Sequence, residues 1–195
     1  MTAYESLAVA LRSATKELHH RLDHHPLLAP LVSMDIRLEQ YAAALSGLFR
    51  LIKPLEEALD DFIARHHPGY DYQRRRRADC LASDIVQLGY ALPEVFSQVP
   101  TVRNDAELVG NLYVLEGSTL GGRVIYRQLQ NSLGLDRNRA GSFFYGHGEQ
   151  SDTMWREFWD FAEPLCPAGS YAVAQQAACQ LFTCYLDALE EHCHV

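Results

Sequence analysis

A histidine and a carboxylate stand four residues apart in the stretch LRSATKELHHRLD, residues 11–23. On a helix, His19 and Asp23 would share one face, so the carboxylate could accept a hydrogen bond from one imidazole nitrogen. The other nitrogen would then be left unprotonated and able to bind a metal. Arg12 lies on the same face, about 10 Å away along the axis at 1.5 Å per residue, and could reach an anionic group of a flat ligand. Taken alone, such a pair is more often an ordinary contact within a helix.

A second stretch, YVLEGSTLGGRVI (residues 113–125), places three glycines inside a helical pattern. Each glycine inside a helix costs about 1 kcal/mol relative to alanine. Because glycine lacks a Cβ, the backbone at Gly117, Gly121 and Gly122 could lie directly against a planar ligand and could bend. Close packing of two helices would explain the same spacing, and both interpretations stay open. A phosphate loop is excluded because no strand precedes the stretch and no GK[ST] sequence follows it.

The remaining histidines do not favour a structural metal site. The chain has nine histidines, several of them in adjacent pairs whose side chains would point in different directions on a helix. His20 and His24 could share a face, but no cysteine or carboxylate pattern completes a tetrahedral zinc site around them. Most of the histidines are therefore expected on the surface.

These residues must be positioned by helices, because helical spacing of apolar residues recurs and no stretch alternates cleanly. The pattern predicts a single all-α domain over residues 1–195, a multi-helix bundle. Asn104 or Asp105 is expected to cap the glycine-bearing helix and Asp152 the one after it, while Pro54 is expected to kink the long second helix. The predicted helices cover residues 4–23, 35–66, a segment around 80–88 that ends near 89, 106–132, a segment after 152, and a last segment from 170; residues 133–150 are predicted to be loop.

Composition limits the class of protein. The formal net charge is −8, which argues against a general nucleic-acid binder. No apolar run is long enough for a membrane span, and the first residues lack the pattern of a secretory signal. Five cysteines without a CxxC pair indicate free thiols in a reducing compartment. The expectation is a cytoplasmic protein that binds neither nucleic acid nor membrane.

Together the two stretches resemble the haem oxygenase family, in their order, their separation and the all-helical pattern around them. The resemblance implies that His19 is the proximal ligand of the haem iron, with Asp23 and Arg12 close to the haem. It implies that Gly117, Gly121 and Gly122 lie in a glycine-kinked distal helix that covers the other face of the iron. Haem b would be both substrate and cofactor, and the ring would be opened at a meso carbon to give biliverdin, iron and CO.

Several finer assignments follow from the same resemblance. Mammalian relatives carry an aspartate where this chain has Ser118, so Ser118 is a candidate for holding distal water; a hydroxyl can bind water but carries no charge. The residues that would grip the haem propionates do not match clearly. Tyr113, Arg123 and Arg156 are candidates only because they lie close to the motifs or to the late helix.

Partners are also implied by the resemblance. The reaction needs O₂ and an external electron donor, either a ferredoxin-type protein or ascorbate. The EGSTLGG form is similar to that of bacterial enzymes that supply biliverdin to a bacteriophytochrome. The run Arg74–Arg77 is either a solvated helix start or, as the less favoured hypothesis, a basic patch that docks an acidic redox protein.

Two other functions remain open. The first is a haem-binding sensor or carrier of the same fold that does not degrade haem. The second is a relative that has lost haem and handles another small molecule, as thiaminase-like members of this helical fold do. The retained His19 and the three glycines disfavour the second.

Overall fold

Helices and the loops between them make up the protein in a computed structural model that describes residues 6–96 and 98–193. No strand occurs in that part of the chain, which confirms the all-α prediction. The α-helices are α1 (Leu7–Asp23), α2 (Leu38–His66), α3 (Ala78–Gln87), α4 (Asp105–Leu133), α5 (Ser142–Tyr145), α6 (Ser151–Leu165) and α7 (Tyr171–Cys193). The predicted start of the first helix at residue 4 lies outside the described residues.

The helix ends have local causes, some of them predicted. Ser6 caps α1 by accepting a hydrogen bond from the backbone of Val9. Asn104 caps α4 in the same way, with Oδ1 3.0 Å from the backbone nitrogen of Glu107, so that prediction is confirmed. Gly134, with φ at +64°, ends α4 in the left-handed region that glycine adopts without strain.

Other predicted boundaries are wrong. Asp152 does not cap α6, because the helix already begins at Ser151 and has no side-chain cap. The segment between α4 and α6 is not entirely loop, since it contains the short helix α5. This helix is fixed by Asp84 of α3, whose carboxylate accepts hydrogen bonds from the backbone nitrogens of Ser142 and Phe143. A cap supplied by a distant helix leaves no local signal in the sequence.

The last helix holds the bundle together, because α7 packs along both α1 and α4 and also contacts α2. The tightest approach is at Gly110 of α4, where an added Cβ would collide with the backbone carbonyl of Ala174 and lie 2.9 Å from the Cβ of Ala177. Close helix packing through glycine therefore occurs in α4 at a position before the 113–125 stretch.

Two further properties concern membrane insertion and cysteine oxidation. Among the described helices, none is long and apolar enough to cross a membrane. The four cysteines whose side chains are described carry free thiols: Cys80, Cys166, Cys179 and Cys184.

Candidate functional site

His19 lies on the last turns of α1 with most of its side chain exposed. Its Nδ1 is 2.9 Å from a carboxylate oxygen of Asp23, as the spacing predicts. The ring also contacts Phe182 of α7, with the two ring centres 5.8 Å apart. The hydrogen bond occupies Nδ1 and leaves Nε2 as the nitrogen that can coordinate a metal.

The middle of α4 presents an open face. The helix continues through all three glycines without a break. An added Cβ at Gly121 would meet nothing within 4 Å. Ser118, one turn before it, is exposed, and Val124, one turn after it, is 64% exposed. At this face a ligand can reach the backbone directly.

The other two glycines of the stretch are covered by the protein. Gly122 is buried, and an added Cβ would lie 3.3 Å from the carbonyl oxygen of Phe144 in α5. Gly117 lies beside α6, where an added Cβ would be 3.8 Å from the Trp155 ring. The expectation that all three glycines form one ligand face is therefore wrong for Gly122, which serves helix packing. Gly117 stands at the edge of the open face.

The relative position of His19 and the open face follows from contacts with α7. Gln175, near the start of α7, donates a 3.0 Å hydrogen bond to the carbonyl of Ala10 in α1. Phe182, further along α7, contacts His19 further along α1. The two helices therefore run in the same direction.

The long helix α2 gives the direction of α4. His67, directly after α2, has its Nε2 2.7 Å from a carboxylate oxygen of Asp105 in the first turn of α4. Phe144, which covers Gly122, contacts the ring of Tyr41 near the start of α2. Helix α4 therefore runs opposite to α2.

Helix α7 also runs opposite to α2, and therefore parallel to α4. Its start lies beside the first turns of α4, where Gly110 contacts Ala174, whereas its later residue Ala188 accepts a hydrogen bond from Arg50 in the middle of α2. Eight residues on, about 12 Å at 1.5 Å per residue, α4 reaches Ser118 and α7 reaches Phe182. His19 is thus level with the open face.

These directions define a crevice between α1 and α4. Both helices pack along α7, but in the described part of the chain they do not pack extensively against each other. The segment after α1 crosses the end of the crevice, where the Gln128 side chain of α4 donates to the carbonyl of Ser33 at 3.1 Å. The exposed apolar side chains Val32 and Met34 lie in the same segment. His19 on α1 and the face around Gly121 on α4 thus lie at a similar level along α7, the helix against which α1 and α4 both pack.

The remaining candidates have different surroundings. Arg12 is exposed on α1, on the face of His19. Arg123 of α4 pairs with Asp152 of α6 at 2.7 Å. Tyr113 packs between two α6 rings, with centroids 6.1 Å from Trp155 and 6.0 Å from Trp159. Arg156 is exposed on α6. Arg123 and Tyr113 therefore fasten α4 to α6.

The run Arg74–Arg77 is only partly on the surface, so the prediction of a solvated helix start is wrong for Arg75 and Arg77. Arg75 and Arg77 are 4% and 5% exposed. Arg75 forms a buried ion pair with Glu116 of α4 at 3.0 Å, and Arg74 pairs with Glu157 of α6. The arginines thus join the segment before α3 to α2, α4 and α6.

Arg77 links this charged cluster to the open face, which sequence reasoning missed. Its Nη2 donates to the Ser118 hydroxyl at 2.8 Å and to the carbonyl of Leu115 at 2.9 Å. The Ser118 hydroxyl in turn donates to the same Leu115 carbonyl at 2.6 Å. Nothing in the sequence connects residue 77 with residue 118, because the contact depends on tertiary packing.

Burial changes the proton affinity of several groups near the cluster. Burial raises the pKa of Glu116, and the neighbouring Arg75 opposes that rise. Burial raises the pKa of Glu56, although the backbone nitrogens of Arg77 and the next residue donate to its carboxylate. Burial lowers the pKa of His147 to about 4, and the positive charges of Arg77, Arg75 and Arg74 contribute to the shift.

Comparison with known proteins identifies a family and a fold for the chain. A profile of the haem oxygenase family matches residues 5–191. A haem oxygenase of Xanthomonas campestris pv. campestris is 39% identical over 95 residues, which cover 49% of this chain and 56% of that protein. The aligned stretch thus spans little more than half the length of that relative.

Solved structures share the fold. The NO- and CO-bound haem oxygenase of Neisseria meningitidis superimposes with a TM-score of 0.80 at 22% identity, over 96% of this chain and 92% of that one. Haem oxygenase of Leptospira interrogans gives 0.74 at 15% identity, over 96% and 100%. Haem oxygenase-1 of Synechocystis in complex with haem gives 0.69 at 16% identity, over 96% and 92%.

The family match covers nearly the whole chain, including the crevice with His19 on one wall and the glycine face on the other. This chain belongs to the haem oxygenase family.

Proposed function

We propose that this chain is a haem oxygenase that binds haem b in the crevice between α1 and α4 and opens the ring at a meso carbon to biliverdin, with release of iron and CO. The observation that carries the proposal is the placement of His19. Its Nδ1 is held by Asp23, and the residue is level with the uncovered backbone around Gly121 on the opposite wall.

The residues of the crevice fit a haem. A coordinating nitrogen needs a free lone pair, and the bond to Asp23 assigns that lone pair to Nε2 of His19. A planar ring needs a wall that it can approach closely, and an added Cβ at Gly121 would have open space around it. Apolar side chains at the mouth, Val124 and Val32, suit the edge of a porphyrin. Arg12, exposed on the face of His19, can pair with a propionate.

Bound haem would supply the iron that activates O₂ and the ring that is oxidised. The chain's own residues would bind the haem, orient it and protect it. Asp23 fixes the tautomer of His19 and raises its basicity as a ligand. The backbone at Gly117 and Gly121, which we call the glycine wall, would lie close to the iron. It carries no acidic side chain at these two positions. Ser118 can hold a water molecule at this face, because the residue is exposed and its hydroxyl keeps one lone pair free of the bonds to Arg77 and Leu115.

Addition of haemin to the purified protein tests the proposal. A Soret band that shifts on binding shows a haem site. Ascorbate or a ferredoxin reductase system is then added in air, and loss of the Soret band with a rise in the red absorption of biliverdin supports the enzyme. A stable Soret band would instead indicate a haem sensor or carrier. Absence of any shift would indicate a relative that handles another small molecule.

The proposal also covers the electron donor and the protein that receives the product. Electrons come from an external donor such as a ferredoxin, and the cytoplasm is the expected compartment. The EGSTLGG form of the distal stretch supports delivery of biliverdin to a bacteriophytochrome. Mixing the reaction with an apo-bacteriophytochrome tests this step, since covalent loading of the chromophore gives a red-light-reversible spectrum, and failure to load would contradict it.

A further inference from the structure

Two neighbouring groups fix the hydrogen bonds of the Ser118 hydroxyl. A hydroxyl has one hydrogen and two lone pairs. The hydrogen points to the carbonyl of Leu115, 2.6 Å away, and one lone pair accepts from Nη2 of Arg77 at 2.8 Å. One lone pair therefore remains on a residue that is exposed on the crevice side of α4.

Arg77 is itself held firmly. Its backbone nitrogen donates to one carboxylate oxygen of Glu56 at 2.8 Å, and the backbone nitrogen of Ala78 donates to the other at 3.0 Å. Its guanidinium lies 4.9 Å from the centre of the Phe143 ring. The side chain is 5% exposed, so the donor that meets Ser118 is fixed in position.

The Arg77 guanidinium meets the Ser118 hydroxyl, the Leu115 carbonyl and the Phe143 ring, whereas the rest of the cluster is made of ion pairs. The other arginines of the run have carboxylate partners; these pairs are Arg74–Glu157, Arg75–Glu116 and Arg76–Asp60. Glu56, buried beside the Arg77 backbone, is the fourth carboxylate of the cluster.

We propose that Arg77 is a positioning residue that locks the Ser118 hydroxyl as a hydrogen-bond acceptor toward the crevice. This point of the distal wall then binds a hydrogen-bond donor, such as a water molecule, and Ser118 does not donate its own proton. If Arg77 is removed, the hydroxyl can rotate away from Leu115 and become a donor toward the crevice. The inference rests on the proposed haem site.

Azide binding to the ferric haem complex tests the polarity of Ser118, because bound azide can accept a hydrogen bond but has none to donate. In the wild type a locked acceptor cannot assist azide, so Ser118→Ala should leave the azide dissociation constant unchanged. Arg77→Met should bind azide roughly two- to tenfold more tightly than the Arg77→Met/Ser118→Ala double variant, the range expected for one net hydrogen bond. Both proteins lack the Arg77 charge, so its effect on the affinity for an anion cancels in this comparison.

Thr119→Val is the matched control, since the Thr119 hydroxyl donates to the Glu116 carbonyl with the same spacing and has no contact with an arginine. It should not change azide affinity in the wild type or in Arg77→Met. Weaker azide binding in Ser118→Ala would overturn the proposal, because it would show that the hydroxyl donates in the wild type. Equal azide affinity in Arg77→Met and in the Arg77→Met/Ser118→Ala double variant would overturn the role of Arg77.

Two further measurements separate the possible failures. Thermal unfolding of Arg77→Met shows whether the variant is folded, and the Ser118→Ala result is decisive even if it is not. A missing Soret band in the wild type would contradict the proposed function, whereas a normal Soret band with the wrong azide pattern would contradict only this inference.

Discussion

At the scale of single residues, the site depends on two residues of one helix, His19 and Asp23, whose contact the sequence already indicated. Spacing predicts the contact between His19 and Asp23, and the structure has it at 2.9 Å. The same reasoning could not assign Ser118, because the polarity of its hydroxyl is set by Arg77 from another helix. Contacts within one helix are readable from spacing, whereas contacts between helices depend on packing.

Asp23→Asn should weaken iron ligation without removing it. An amide can still accept a hydrogen bond from Nδ1, but it lacks the charge that strengthens the imidazole as a ligand. We expect a loss of about 10- to 100-fold in haem affinity or turnover, the usual range for a residue behind a metal ligand. Haemin titration followed at the Soret band measures it. Glu17→Gln, on another face of α1, is the control, and an equal loss in both variants would argue against a specific role of Asp23.

At the scale of the elements, α4 shows why glycine spacing alone was ambiguous. The two interpretations left open by the sequence, close packing and ligand contact, are divided among different glycines of one helix. Gly110 and Gly122 face other elements, whereas the backbone at Gly121 faces open space. Tertiary packing decides which face of α4 contacts α7 and α5. The sequence therefore could not show which glycines pack against other elements and which face open space.

Two alanine substitutions should therefore have opposite effects on stability. Gly121→Ala should raise the free energy of unfolding of the haem-free protein by up to about 1 kcal/mol, because helix propensity improves and nothing collides. Gly110→Ala should lower it by about 1–3 kcal/mol, since the new methyl group is forced against the Ala174 backbone. Urea unfolding at neutral pH compares them. A gain for Gly110→Ala would contradict the close packing of α4 on α7.

A bulky side chain at Gly121 should separate haem binding from ring opening. Gly121→Leu places a side chain on the open face of α4, while His19, the proposed iron ligand, is untouched. We expect a Soret shift with haemin but little biliverdin when ascorbate is added in air. A Leu substitution at Val86, an exposed valine of α3, is the control. Full activity of Gly121→Leu would mean that the open face is not the distal wall.

At the scale of the whole molecule, composition and periodicity were sufficient for the all-α architecture and for most helix bounds. They failed for the arginine run, because a charge run is usually solvated. Here the run meets the buried carboxylates Glu56 and Glu116, which come from α2 and α4 and lie far away in sequence. Serine substitutions at Arg74–Arg77 would therefore break buried ion pairs and could not report on the docking of a redox partner.

The same buried cluster should make stability depend on pH through His147. Its pKa is lowered to about 4 in the folded protein, from 6.5 in an unfolded chain. Between these values the unfolded state binds a proton that the folded state does not, so this contribution to stability is lost as the pH falls from about 6.5 toward 4. His147→Gln should therefore lose less stability than the wild type between pH 7 and pH 5 in urea unfolding. The exposed His66→Gln variant should behave like the wild type, and equal losses in all three proteins would contradict the burial of His147.

The central claim is that His19 supplies the axial nitrogen to a haem that faces the α4 glycine wall. The most direct test is the absorption spectrum of the haemin complex of His19→Ala, recorded with and without added imidazole, beside the wild type and His20→Ala. We predict that His19→Ala loses the wild-type Soret spectrum, that imidazole restores it, and that His20→Ala is unchanged. A wild-type spectrum in His19→Ala, or the loss of that spectrum in His20→Ala instead, would contradict the claim.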